Sequence, residues 1–187
     1  MPSLSIGSAS ASKPLAEWYG EMEQAERGDG WAWWCAQHGI FVVPCRELID
    51  AVAEILSPLP DPQIEIASGK GHLAEALDIQ ATDPAPGAAH VLQMDARSAI
   101  DSFHPRTVLC CFPPVDAGIE HAIAQSQVDH FLYIGPEPPR FPDWQRQPLP
   151  DVDTALLTRL DHLVDYTRAT HRRGASAILF TRYAHKA

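Results

Sequence analysis

A doubly wound α/β domain on a mostly parallel sheet is predicted by three features of the chain. From Gln63 onward, short apolar runs alternate with segments of helical periodicity, the pattern of strands buried on both faces and covered by crossover helices. The first run ends in a glycine-containing turn, Ala67-Ser-Gly-Lys-Gly71, that opens a helix-forming stretch. The 187 residues, 45% of them hydrophobic, suffice for one sizeable core.

The elements follow in order. Met1 to Lys13 is rich in Ser and Ala, without a basic start or a long apolar run, and reads as a disordered tail rather than an export signal. Pro14 to Glu26 carries helix formers and is broken by Arg27-Gly-Asp-Gly30. Trp31, Trp33 and Trp34 then cluster; Trp31 and Trp34 share a helical face, which suits either an aromatic wall for a ligand or a lid packed on the sheet edge. After Phe41-Val-Val43, Pro44 opens a helix whose Leu48, Ile49, Val52, Ile55 and Leu56 form one apolar stripe. Residues 14–60 are thus a helical N-terminal part.

Five buried strands are expected in 61–137: Ile64 to Ala67, Ile79 to Thr82, Val91 to Met94, Val108 to Cys111 and Phe131 to Ile134. Leu73, Ala76 and Leu77 mark the inner face of the first intervening helix. Asp116 suits the N-cap of the helix carrying Ile119 and Ile123. In 138–187 the rhythm changes. Pro136 to Pro150 holds six prolines and is expected as an extended loop over the carboxyl edge of the sheet, not as an element. A helix over Asp153 to Leu160 follows, then closing strands at Leu163 to Thr167 and Ala177 to Tyr183, joined through Arg172-Arg173-Gly174.

Composition narrows the function. A formal net charge of -10 repels a phosphate backbone, so no nucleic acid is expected as partner. No run approaches the roughly 20 apolar residues of a membrane span. Cys35, Cys45, Cys110 and Cys111 contain no CxxC pair and read as reduced thiols of a cytoplasmic protein. The nine histidines lack zinc-ligand spacing, so no metal site is expected. There is no Gly-x-Ser-x-Gly nucleophile elbow.

The candidate site begins at Ile64-Glu-Ile-Ala-Ser-Gly-Lys-Gly-His-Leu73, a strand, turn and helix at the place where open α/β sheets bind nucleotides. Gly69 and Gly71 suit left-handed backbone and close ligand approach. The Gly-Lys-Ser/Thr ending of a phosphate-binding loop is missing. Asp83 ends the second strand, where a carboxylate accepts ribose hydroxyls, and Asp95 ends the third in Gln-Met-Asp-Ala96.

Over Pro44 to Glu137 these residues resemble the class I S-adenosylmethionine-dependent methyltransferases, whose first motif is an acidic residue followed by three alternating glycines. The resemblance implies a Rossmann-like, seven-stranded sheet with a reversed last hairpin, and S-adenosyl-L-methionine as cofactor. It places Glu65 near the cofactor's amino group, Ala67 to Gly71 around its methionine end, Asp83 at the ribose, and Asp95 with Ala96 at adenine. Ala67 stands where the motif has its first glycine.

Leu109-Cys-Cys-Phe-Pro-Pro-Val-Asp116 resembles the Asp/Asn-Pro-Pro-aromatic motif of amino-group methyltransferases, with Phe112 replacing the acceptor and Val115 the aromatic. The carbonyls of Phe112 and Pro113 are then the remaining acceptors; Phe112 is equally a pocket wall. Asp116, Glu120 and His121 are the nearest bases, although Asp116 as an N-cap and His121 as a solvated helix residue need no chemistry. Trp34, Pro114, Tyr133 and Glu137 would line the acceptor site, Tyr133 and Glu137 alternatively serving packing and solvation. The expected function is methyl transfer to a small molecule or a protein side chain. Ala67 and Phe112 also fit a non-catalytic binding or regulatory subunit, as a homodimer or with a partner protein. An NAD-binding oxidoreductase domain is the other alternative, with Ala74 as the third small residue of its fingerprint; Pro113-Pro114 has no counterpart there.

Overall fold

The computed structural model describes residues 13–24, 35, 40–114, 117–136, 138–149, 156–157 and 175–183. Residues 1–12 of the predicted tail, Trp31, Trp33, Trp34, Val115, Asp116, Glu137 and the expected strand at Leu163 to Thr167 lie outside them. In chain order the elements are α1 (Leu15–Gln24), α2 (Arg46–Leu56), β1 (Gln63–Ile66), α3 (His72–Leu77), β2 (Gln80–Asp83), β3 (Leu92–Gln93), α4 (Ala96–Phe103), β4 (Thr107–Cys111), α5 (Ile119–Ala124), β5 (His130–Gly135), β6 (Trp144–Pro148) and β7 (Ser176–Arg182).

The strands form one mixed sheet in the order β3-β2-β1-β4-β5-β7-β6. The first five are mutually parallel, and β7 runs antiparallel to both β5 and β6. Strand order therefore reverses between β1 and β4, where the chain, having built outward to β3, returns to the free edge of β1.

Side chains alternate across the sheet because successive residues of a strand point to opposite faces. Leu109, Leu132, Ile134, Ala177 and Leu179 meet Trp18 of α1, Leu48 and Val52 of α2, and Leu73 of α3 in one core. Ile64, Ile66, Val108, Phe131, Ile178 and Phe180 meet Ala99 and Ile100 of α4 and Ile119 and Ile123 of α5 in the other. With apolar side chains on both faces, β4 and β5 read in sequence as continuous apolar runs, whereas β3, expected as a buried strand, exposes both Leu92 and Gln93. Among the described residues, no helix is long and apolar enough to cross a membrane.

Three local expectations are corrected. α3 buries Leu73 and Ala74 and leaves Ala76 exposed, because the helix starts at Gly71 and its phase is set there. The N-cap of α5 is Gly118, left-handed at φ 66, and not Asp116. The stretch Pro136 to Pro150 is not all loop: Trp144 to Pro148 forms β6 and is the partner of β7. An edge strand bonds along one side only, and its single proline, Pro148, closes it, so the missing N–H costs little. The preceding 138–142 is a loop beside the carboxyl ends of β4 and β5, as expected.

Candidate functional site

The glycine turn is tied to β2 and to the turn after it by four hydrogen bonds. Past Ile66 the backbone enters the left-handed region at Ala67, φ 52. The Ser68 N–H and hydroxyl both donate to the Thr82 carbonyl, each at 3.1 Å. The Gly69 N–H donates to Asp83 Oδ2 at 2.8 Å, and the Gly69 carbonyl accepts from Gly87 N–H at 3.0 Å. Asp83 Oδ1 accepts the Ala85 N–H at 2.8 Å. One carboxylate thus clamps the turn after β1 to the turn after β2. Each of its oxygens has a second lone pair for another donor.

The two glycines differ in what they face. Both are left-handed, at φ 58 and φ 67. A side-chain carbon on Gly71 would sit 2.7 Å from Val91 and 2.9 Å from His90; glycine there is required by packing. At Gly69 the nearest atom would be the ring edge of Phe41 at 4.0 Å, which leaves its backbone approachable. Phe41 stands beside the turn, 42% exposed, between the buried anchors Ile40 and Val43.

Glu65 lies beneath the turn, 3% exposed, with Oε2 accepting the Ala74 N–H of α3 at 3.1 Å. Burial, with the Asp83 charge adding to it, pushes its carboxyl up to about 8. On β4, the buried Cys110 thiol is raised by desolvation and further by the charges of Glu65 and Asp83, so the carboxyl ends of β1, β2 and β4 share one electrostatic environment. Asp95 is exposed and N-caps α4, its Oδ1 accepting the Ser98 N–H at 2.7 Å, a bond that holds its carboxyl below the ordinary range. Ala96, the first residue of α4, packs into the second core.

At the end of β4, Phe112 is left-handed at φ 50, and its N–H donates to the Ile134 carbonyl of β5 at 2.7 Å. Its ring is 6% exposed among Leu109, Leu132 and Ile134. The ring is therefore core and not a pocket wall, because left-handed backbone turns it back under the sheet's first face. Pro113 and Pro114 lead from it into a groove of about 890 Å³ between α5 and the 138–142 loop. Phe131, Tyr133 and Phe141 line the groove, with Glu120 and His121 contributed by α5. The Tyr133 hydroxyl lies over Gly135, where a side-chain carbon would come within 2.6 Å of it.

The predicted residues thus fall into two groups. Glu65, Ala67, Ser68, Gly69, Gly71 and Asp83 gather at the ends of β1 and β2, with Asp95 one strand further on. Pro113, Pro114, Glu120, His121 and Tyr133 gather at the ends of β4 and β5. Phe41, Pro139, Arg140 and Phe141 belong to these surfaces and were not foreseen. Among the described residues, no three His, Cys, Asp or Glu side chains are grouped to hold a metal ion. No protein-family model matches the sequence, and no curated protein matches it.

Proposed function

We propose that the chain is an S-adenosylmethionine-dependent methyltransferase with a Rossmann-like sheet. The observation that carries this reading is the clamp of Asp83 onto Gly69 beside the point where strand order reverses, since ligands of open α/β sheets bind in the crevice outside the carboxyl ends of the strands at such a point. The sheet, with its reversed β7, agrees with the seven-stranded arrangement implied by the resemblance.

The residues fit the cofactor. Gly69 offers open backbone, Asp83 offers spare lone pairs for a ribose, and the exposed carboxylate of Asp95 lies one strand further along, suiting a base amino group. Buried Glu65 holds the amino end of α3 and so shapes the turn. When bound, S-adenosylmethionine supplies an electrophilic methyl on a sulfonium. The chain's part is alignment of an acceptor through the carbonyls at Phe112 and Pro113, and proton acceptance by a side chain such as Glu120 or His121. The buried thiols Cys35, Cys45 and Cys110 suit a reducing, cytoplasmic setting.

Calorimetric titration with S-adenosylmethionine, its demethylated product and NAD tests the reading. Micromolar binding of the first two, weakened by about 1 to 3 kcal/mol in Asp83→Ala, is the expected outcome. Binding of NAD alone would establish the oxidoreductase-like alternative. No binding of any of the three would leave the non-catalytic subunit.

A further inference from the structure

The groove between α5 and the 138–142 loop carries its charges on opposite walls. Glu120 and His121 belong to α5 and Arg140 to the loop, and all three are exposed. Arg140 and Glu120 make no ion pair with each other. Between them the accessible lining is apolar, since Pro113, Pro114, Ala117, Pro138 and Pro142 are half-buried or exposed there.

Arg140 is held in place by its neighbours. Pro139 and Phe141 on either side of it are buried, and the Phe141 ring meets Phe131 at 5.9 Å and Phe180 at 5.2 Å, both edge-on. Pro138, Pro139 and Pro142 fix φ through the loop, and the Phe141 carbonyl accepts the Trp144 N–H at 3.3 Å. A loop pinned in this way presents Arg140 to the groove with little backbone freedom left to lose on binding. The guanidinium is also uncommitted. Arg97 pairs with Asp101 and Arg106 with Asp129, and Arg182 serves three carbonyls. Among the described residues, Arg140 has neither an ion pair nor a hydrogen bond.

A guanidinium presents a planar fork of donors that matches the two oxygens of a carboxylate. Glu120 repels the same group from the other wall, so an acid enters in one orientation, its head on the loop and its body along the prolines. We infer that the groove seats a small acid with an apolar body, its carboxylate held by Arg140, and that such an acid is the methyl acceptor. The acceptor role rests on the methyltransferase reading; the carboxylate site does not. From Arg140 the body runs to Pro113, just past the end of β4, the neighbour of β1 in the sheet.

The test is a ligand-observed NMR titration of the full chain with 3-cyclohexylpropionate, its carboxamide and 3-cyclohexylpropylamine, three probes with one body and different heads. Calorimetry with S-adenosylmethionine is run on the same samples. The acid is expected to bind about five-fold more tightly than the amide or the amine. Arg140→Gln is expected to bring the acid down to the level of the amide, at an unaltered melting temperature because the side chain is exposed. Arg146→Gln removes the same charge from β6, outside the groove, and is expected to leave the preference intact. No binding of the acid, an acid no tighter than its amide, a preference that survives Arg140→Gln, or one lost equally in Arg146→Gln would overturn the inference. Acid binding that depends on Arg140 in a protein that does not bind S-adenosylmethionine would keep the carboxylate site and remove the methyltransferase reading. S-adenosylmethionine binding without any preference for the acid would do the reverse.

Discussion

Ala67 and Phe112 end neighbouring parallel strands, and both hold left-handed backbone, at φ 52 and φ 50. For a residue with a β-carbon this conformation costs on the order of 1 to 2 kcal/mol. Strain of this kind gathers at functional sites, where the surrounding structure imposes it. Here both strained residues flank the reversal of strand order, and each stands where the sequence departs from a motif it resembles.

Replacing Ala67 by Gly should therefore behave unlike most Ala→Gly changes. Relief of left-handed strain, about 1 to 2 kcal/mol, outweighs the added freedom of the unfolded chain, about 0.4 to 1 kcal/mol. The expected result in urea unfolding is a gain of up to about 1 kcal/mol. A loss of 1 kcal/mol or more would show that the strain is absent. Phe112→Asn should go the other way, because removal of a buried ring costs about 3 to 5 kcal/mol and exceeds any backbone relief.

Gly69 and Gly71 give a paired prediction. Gly71→Ala adds left-handed strain to overlap with Val91 and His90 at 2.7 and 2.9 Å, and should cost about 2 to 4 kcal/mol of stability. Gly69→Ala has room and should cost only about 1 kcal/mol. Yet it should weaken S-adenosylmethionine by about ten-fold in calorimetry, since its backbone is the open one. Undiminished affinity in folded Gly69→Ala would place the ligand elsewhere.

The parallel half of the sheet was legible because strands covered on both faces leave unbroken apolar runs, as Val108 to Cys111 and Phe131 to Ile134 show. β6 was hidden for the opposite reason. It buries only Trp144 and exposes Gln145 to Pro148, so it carries neither alternation nor an apolar run, and nearby prolines mask it further. At the site, the turn and Asp83 were legible from residue type and order. Phe41 was not, since Phe-Val-Val resembles a buried strand while only Val43 of the three is buried. The buried ring of Phe112 was equally hidden, because a Pro-Pro pair marks where a strand ends without fixing the backbone of the residue before it.

Glu65 makes stability pH-dependent. Its carboxyl titrates near 8 in the folded chain against 4.5 as its ordinary value, so between these values the folded state binds the extra proton. Stability should therefore fall as pH rises from about 4.5 to about 8, by at most about 1.4 kcal/mol per unit from this group, and the contribution is constant outside that window. Glu65→Gln keeps an acceptor for the Ala74 N–H and cannot ionise. Its stability relative to the parent should increase across the same window in denaturant titrations; parallel pH profiles for the two proteins would exclude a raised Glu65.

Arg182 joins three elements and is the sharpest stability test away from the site. From the end of β7 its Nε donates to the Val128 carbonyl at 2.9 Å, and one terminal nitrogen donates to Ser126 at 2.9 Å and Ile123 at 3.3 Å. The guanidinium also lies over the Trp144 ring of β6, 4.5 Å from its centroid. It therefore satisfies carbonyls at the carboxyl end of α5, where a cation is favoured, while binding the edge strand through a cation–π contact. Arg182→Met removes these bonds and leaves carbonyls without their donor, a cost of about 2 to 3 kcal/mol. For a chain of this length that is a fall in melting temperature of about 5 to 10 °C. Arg182→Lys should recover less than half of it, because an ammonium cannot span three carbonyls in the fixed fork of a guanidinium or stack flat on the indole. Full recovery by Lys would mean that charge alone, and not the fork, holds β7 to α5.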